Sequence, residues 1–280
     1  MSSVSYGFSL LETLVALVLG ATVAIAVFGV VAMHRAVYLH GVHHVQTAAT
    51  VRSAAALVAA ELRGLDPAGG DLMEMAPMSI TYRAGRSLYF TCREPDPARR
   101  SITVGSSFHG MRALDADLDS LLVYLPAEPA SNRPAGWVPA DLRRVVWGNR
   151  CPGAAPSLTL KMGGIEERVV AAVGMGSPVR GVSVWQMRGY RDSRGQWWLG
   201  MRRLRKGGGR LPPTQPVLGP VAPGGIEFRY YGRGGVRADG RQTVVSIGLT
   251  ITPEASRRLR SGRAVLPVSL RVALRGARGS

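Results

Sequence analysis

The sequence is nearly without lysine. Only Lys161 and Lys206 occur among its 35 basic residues, so the formal charge of +17 is carried almost wholly by arginine. Guanidinium groups fork onto phosphates and carboxylates, which leaves polyanion binding open beside the simpler account of a solvated basic surface. Cysteine is as scarce. Cys92 and Cys151 stand far apart, with no Cys or His at ligand spacing beside them. That excludes a zinc site, which wants four clustered ligands, and fits one disulfide in an oxidising compartment. No proline precedes Pro67, so nothing forbids a single helix from Phe8 to about Leu65. The motifs of a P-loop, a nucleophile elbow, a zinc protease and a dithiol redox centre are all missing. The Gly-rich stretch Lys206–Arg210 lacks the Gly-Lys-[Ser/Thr] ending and reads as a flexible loop. No enzyme is indicated, and no cofactor.

Charge is also missing where it matters most. Residues Thr13 to Met33 carry none. As a helix, this run extends about 31 Å, enough to cross the hydrocarbon core of a bilayer. The remaining sequence is folded in character, with 46% hydrophobic and 19% charged residues overall. Its apolar content is dilute after the first fifth, and 35 Gly and 18 Pro suit an anchor followed by a loop-rich domain.

One acid, Glu12, interrupts the apolar segment. An ionised carboxylate in hydrocarbon costs several kcal/mol unless it is paired. A secretory signal peptide cut after Ala24-Ile25-Ala26 does not account for it, and Met1–Tyr6 lacks the basic residues such a signal carries. A plain signal anchor leaves Glu12 unexplained. The third reading takes in the residues before the run. Gly7-Phe8-Ser9-Leu10-Leu11-Glu12 resembles the Gly-Phe-[Ser/Thr]-Leu-[Leu/Val/Ile]-Glu signature of type IV prepilins. The resemblance implies cleavage between Gly7 and Phe8 by a prepilin peptidase and N-methylation of Phe8. It also implies that Glu12 meets the terminal amine of a neighbouring subunit during assembly. The leader departs from the family in lacking basic residues, so charge does not help set its topology.

Beyond the anchor, Val37, Gly41, His44, Ala48, Val51, Ala55, Val58, Leu62 and Leu65 recur at spacings of four and three. They form a narrow helical stripe fit to lie closely on another surface, with Arg35, Arg52, Glu61 and Arg63 off it. Asp66-Pro67-Ala68-Gly69-Gly70 stops the helix. The rest reads as mostly β, with strands expected at Ser79–Tyr82, Ser87–Arg93, Leu121–Leu125, Leu142–Trp147, Ser157–Met162 and Arg168–Val173. Others are expected at Val179–Tyr190, Gln196–Leu204, Ile226–Tyr231, Val244–Thr252 and Val265–Leu274, with a hairpin loop over Tyr190–Gln196. The Pro-rich stretches Pro126–Pro139 and Leu211–Gly225 read as surface loops. The expected fold class is therefore α+β, pilin-like, with a long N-terminal helix packed on an antiparallel β-rich domain. Its parts are a leader (1–7), a transmembrane anchor (8–33), an amphipathic helix (34–66) and a β-rich periplasmic domain (67–280). The last strand resembles that of J-type minor pseudopilins of type II secretion and W-type minor type IV pilins. Such a likeness implies other pilins or pseudopilins, the prepilin peptidase and an inner-membrane platform as partners, and a single-pass inner-membrane location before assembly.

Three further clusters are candidates for chemistry. His40, His43 and His44 share one helical face and could hold a metal, though interfacial polar residues of this kind are commoner. Asp115, Asp117 and Asp119 alternate as calcium ligands do, but without the glycine or downstream glutamate of a calcium loop they read first as a solvated edge or a cap. Arg202, Arg203, Arg205, Lys206 and Arg210, with Arg257, Arg258, Arg260 and Arg263, are the candidate polyanion face. Trp197 and Trp198 lie close by for base stacking or for ordinary hairpin packing. On that face rests the alternative reading, a membrane-tethered DNA-binding pilin of an uptake system.

Overall fold

The structure, a computed structural model, describes residues 10–128, 134–206, 212–254 and 267–275, and within these leaves aside the side chains of residues 36–37, 39–51 and 149. Chain contacts divide it into two units, Met1–Ser53 and Ala54–Ser280. Helix α1 runs from Leu10 to Arg63. In the first unit, Leu10–Arg35 has a mean hydropathy of 2.8 and is long and apolar enough to cross a membrane. Its side chains are exposed all round, Leu17 at 74% and Phe28 at 76%, a surface suited to apolar surroundings. The two hydroxyls are satisfied locally. Thr13 donates to the Leu10 carbonyl at 2.9 Å and Thr22 to the Leu19 carbonyl at 2.8 Å, so neither brings an unpaired donor into hydrocarbon.

In the second unit, the last turns of α1 bury Ala54, Val58, Ala59 and Leu62, with Leu65 just beyond. Each large side chain here contributes about 1.5–3 kcal/mol. The expected stripe is thus buried at Val58, Leu62 and Leu65, while Ala55 is half-buried. The chain leaves the helix through a tight turn. Gly70 takes the left-handed φ of +79° that the reversal needs. Asp71 then accepts from the Asp66 amide at 3.0 Å and pairs with Arg83 at 3.3 Å. Desolvation by burial pushes the Asp71 carboxyl above its usual range, and that amide and the Arg83 charge only partly offset it.

A twelve-stranded antiparallel sheet follows. The strands are β1 Leu72–Ala76, β2 Ser79–Phe90, β3 Ser101–Gly105, β4 His109–Gly110, β5 Ser120–Leu125 and β6 Gly136–Arg150. After them come β7 Pro156–Gly163, β8 Pro178–Arg191, β9 Trp197–Arg203, β10 Gln215–Tyr231, β11 Ser246–Pro253 and β12 Val268–Ala273. The main path runs β12-β11-β10-β9-β8-β5-β6-β7-β3, and β2 pairs with β8, β1 and β4. The short helix α2, Glu167–Ala171, lies between β7 and β8. A core of Tyr89, Ile102, Leu121, Val123, Leu142 and Leu160, among others, gathers on one face, with Val170 and Val173 of the α2 region packed into it.

Three sequence expectations are corrected here. Arg168–Val173 is not a strand. Gly164 breaks the preceding strand at φ +64°, and only Val170 and Val173 of the stretch are buried. Their spacing of three is helical rather than alternating. The Pro-rich stretch Leu211–Gly225 is not a loop from Gln215 onward but the first half of β10. Its prolines lack a donor, and the ladder accommodates them with register shifts at Pro216/Leu218, Leu218/Val221 and Val221/Ile226. The Gly219–Pro220 bond is cis. Within Pro126–Pro139, β6 begins at Gly136. Pro139 pairs with Leu122 of β5, whereas the β7 ladder starts only at Asp141. The missing N–H therefore falls where no second strand needs it. The two strands expected before Arg93 join as β2 across an irregularity between Gly85 and Ser87.

Cys92 and Cys151 form a disulfide, with Cα atoms 5.4 Å apart and 59 residues between them in sequence. It ties the segment after β2 to the turn after β6. Replacing both cysteines by alanine is expected to cost about 2–4 kcal/mol in denaturant unfolding, because the released loop is long. Alkylation of both thiols in the non-reduced native protein would show that the bond is not made.

Candidate functional site

The first candidate site is the start of α1. Glu12 lies in its first turn, where the helix dipole favours an anion. It shares a shallow groove with Leu11, Val15, Ala16 and Leu19, and the residues at i+3, i+4 and i+7 place aliphatic surface all along the Glu12 side of the helix. Among the described residues no cation pairs with the Glu12 carboxylate. The arrangement is a single charge within a span suited to hydrocarbon, where an ionised carboxylate is costly unless paired. Gly7 and Phe8, the expected cleavage and methylation residues, lie outside the described residues. His40, His43 and His44 are on α1, but their side chains also lie outside the description.

Within the expected basic cluster, Arg202 and Arg203 do not share a face. Arg202 and Arg203 are successive residues of β9 and therefore point to opposite sides of the sheet. Arg202 donates from Nε to Gln186 Oε1 at 2.9 Å, and desolvation, with nearby Arg188, holds its pKa below the usual guanidinium value. Lys206 Nζ donates to the Leu142 carbonyl at 2.8 Å and sits 4.0 Å from Asp141. Burial lowers its pKa, with Asp141 opposing. Arg205 is exposed. Arg210, Arg257, Arg258, Arg260 and Arg263 lie outside the described residues. Trp198 is used in the β8–β9 hairpin, where its Nε1 donates to Asp192 Oδ2 at 3.1 Å. Asp192 also accepts from the Arg194 and Gln196 amides at 2.9 and 2.8 Å. Against desolvation, these donors hold the Asp192 carboxyl below the ordinary carboxylate range.

Of the three alternating aspartates, Asp119 is not part of a solvated edge. It is fully buried and forks onto Arg112 at 2.5 and 2.6 Å, while its Oδ2 also accepts from the Asp115 amide at 2.9 Å. Asp115 caps the same turn by accepting from the Asp117 amide at 3.0 Å. No group of three metal-ligating side chains occurs among the described residues.

A different cluster escaped the sequence reading. Arg86 of β2 is a buried guanidinium that donates to both oxygens of Glu61 at 3.1 and 3.2 Å. It also reaches Ser183 Oγ at 3.4 Å and Met111 Sδ at 3.2 Å and stands 4.9 Å from the Trp185 ring centre. Glu61 was placed off the buried helical stripe, but this ion pair draws it inward. Beside it the Tyr82 hydroxyl is buried without a hydrogen-bond partner among the described residues. Burial first, and the Glu61 charge second, push its ionisation far above the usual phenol range. Arg86 could not be distinguished in sequence from the 32 other arginines. Each guanidinium nitrogen of Arg86 has a partner within the fold, so the ion pair is structural.

Comparison with protein-family models, curated proteins and solved structures gave no match to this chain.

Two outcomes test these assignments. Arg86→Met leaves Glu61 buried without its cation and is expected to cost about 3–5 kcal/mol, whereas the double variant with Glu61→Leu recovers part of that loss. Additive losses in this cycle would show that the two side chains act independently. Calcium is expected to leave the melting midpoint unchanged, and Asp119→Asn to lower it. A midpoint that rises with calcium and returns on chelation would assign the aspartates to a metal.

Proposed function

We propose that the chain is a minor subunit of a type IV pilus or type II secretion pseudopilus, working by assembly rather than catalysis. The observation that carries this reading is the juxtaposition at the N-terminus. The signature Gly7-Phe8-Ser9-Leu10-Leu11-Glu12 runs straight into an apolar helix whose one acid has no partner of its own among the described residues. Cleavage before Phe8, followed by N-methylation, would place an amine four residues ahead of that acid. In a bundle of such helices, the amine of one subunit reaches the Glu12 of the next, and the pair makes both charges tolerable in hydrocarbon.

Further support comes from the general plan. A long helix with an apolar first half leads into a large antiparallel sheet, closed on a disulfide suited to the periplasm. In this reading the partners are other pilins or pseudopilins, the prepilin peptidase and an inner-membrane assembly platform, and the β-rich unit faces the periplasm. A DNA-binding role for the Arg202–Arg210 segment has less to stand on, because Arg202 and Lys206 each hydrogen-bond within the fold.

The test separates processing from assembly. Gly7→Leu is expected to block cleavage, read from the N-terminal mass. Glu12→Ala and Glu12→Gln are expected to insert and be cleaved normally, yet to lose most crosslinking to neighbouring subunits. If Gly7→Leu is still cut before Phe8, or the mature wild type begins after Ala26, the prepilin reading is wrong. If both Glu12 variants crosslink like wild type, the charge-pairing mechanism alone falls.

A further inference from the structure

A groove of about 890 Å³ opens over the β6, β7 and β3 end of the sheet. Its floor is the face opposite the core. Ile102, Val104, Leu158 and Leu160 point inward to the buried cluster, so the alternate residues Arg144, Val146, Thr159, Lys161 and Thr103 line the groove. The loop Cys92–Arg100 makes one wall. The disulfide lies at this rim, since both Cys92 and Pro152, which follows Cys151, line the groove.

The charges on the floor are unusual. Arg144 of β6 stands directly opposite Lys161 of β7, and Lys161 directly opposite Ser101 of β3. Two like charges facing each other across neighbouring strands destabilise a sheet unless something answers them. Among the described residues no carboxylate does. Among the described residues neither Arg144 nor Lys161 makes an ion pair, in contrast to the adjacent Arg143, which pairs with Asp141 at 3.4 Å. On the wall, Arg93 is likewise unpaired, while Arg99 and Asp96 neutralise each other at 3.7 Å.

We propose that this groove docks an acidic peptide segment of a partner protein, with a carboxylate seated between Arg144 and Lys161. Three features select that ligand. The two cations are cross-strand neighbours, so one anionic group can lie between them, and the Thr103 and Thr159 hydroxyls, 3.4 Å apart, stand beside them on the same face. Val146, Pro152 and Met175 give apolar surface for flanking side chains. Among the described residues no aromatic side chain lines the groove, so they offer no platform for stacking bases. The inference does not depend on the chain being a filament subunit.

The experiment uses the full chain in detergent micelles at physiological salt. The probe is a fluorescein-labelled peptide of alternating Glu and Leu, followed by anisotropy, with a single-stranded oligonucleotide of equal charge as the second arm. Lys161→Glu places an acid opposite Arg144, turning a repulsive cross-strand pair into an attractive one. It is expected to raise the melting midpoint while weakening peptide binding about tenfold or more. Arg144→Gln with Lys161→Gln is expected to weaken binding similarly with the fold intact. The charge-matched pair Arg205→Gln and Arg237→Gln, on exposed residues elsewhere, is expected to leave affinity within about twofold of wild type, because distant exposed charges are screened. Equal losses in the groove and control variants would mean that only net charge attracts the peptide, and the proposal would fall. It would fall too if Lys161→Glu bound the peptide like wild type. Tighter oligonucleotide binding lost in the same groove variants would make the groove a nucleic-acid site instead.

Discussion

A single buried guanidinium holds the β-rich unit to its helix. Arg86 is the point at which the last turn of α1, strands β2 and β8 and the loop at Met111 all meet. Its burial is unfavourable in itself, since removing a cation from water costs several kcal/mol. What reverses the balance is the completeness of its surroundings. Both Glu61 oxygens, a serine hydroxyl and an aromatic face share the charge, and the Arg86 carbonyl accepts from the Met111 amide at 2.8 Å. The irregularity between Gly85 and Ser87 leaves Arg86 without a cross-strand partner in the ladder, which frees its side chain for this task. A hydrophobic residue could fill the volume, but it would not choose Glu61 from the other positions of the helix. The ion pair sets the register of helix on strand, and the aliphatic contacts of Val58 and Leu62 supply the adhesion.

The two ends of α1 therefore solve one problem in different ways. At Glu61 the carboxylate finds its cation within the chain. At Glu12 it finds none among the described residues, and the surrounding side chains suit lipid. The same residue type, set in the same helix, stabilises a fold at one end and leaves a requirement open at the other. The unsatisfied end is where recognition by another molecule has something to gain.

How much of this was legible in the sequence follows from the length and strength of each pattern. The anchor and its acid could be read directly, because an uncharged run from Thr13 to Met33 has few other uses. Strands with clean alternation, such as Val179–Tyr190 and Ser157–Met162, could be read to within a residue or two. The Cys92–Cys151 bond followed from a count of two in a chain with an anchor. Less regular elements hid themselves. Val169, Val170 and Val173 have the composition of a strand, and only their burial three apart shows the helical period. Pro216, Pro220 and Pro223 look like a loop until one sees that β10 bends around them. Arg86, Arg144 and Lys161 escaped notice because a lone arginine or lysine carries no signal of depth or of its cross-strand neighbour. Those relations exist only once β2 finds β8 and β6 finds β7.

That pairing of β2 with β8 has a bearing on how the chain comes to be folded. Arg86 and Ser183 are 97 residues apart, and the strand that carries Ser183 is made long after the one that carries Arg86. Until β8 arrives, the guanidinium has Glu61 but lacks the wall that encloses it, and β2 is a long edge with open amides. Loop closure over such a span is slow, and unpaired edges invite mispairing in the meantime. The growing chain thus passes through an interval in which Arg86 and Glu61 are both present but their enclosure is not, and the order of synthesis sets a delay that only the arrival of β8 ends.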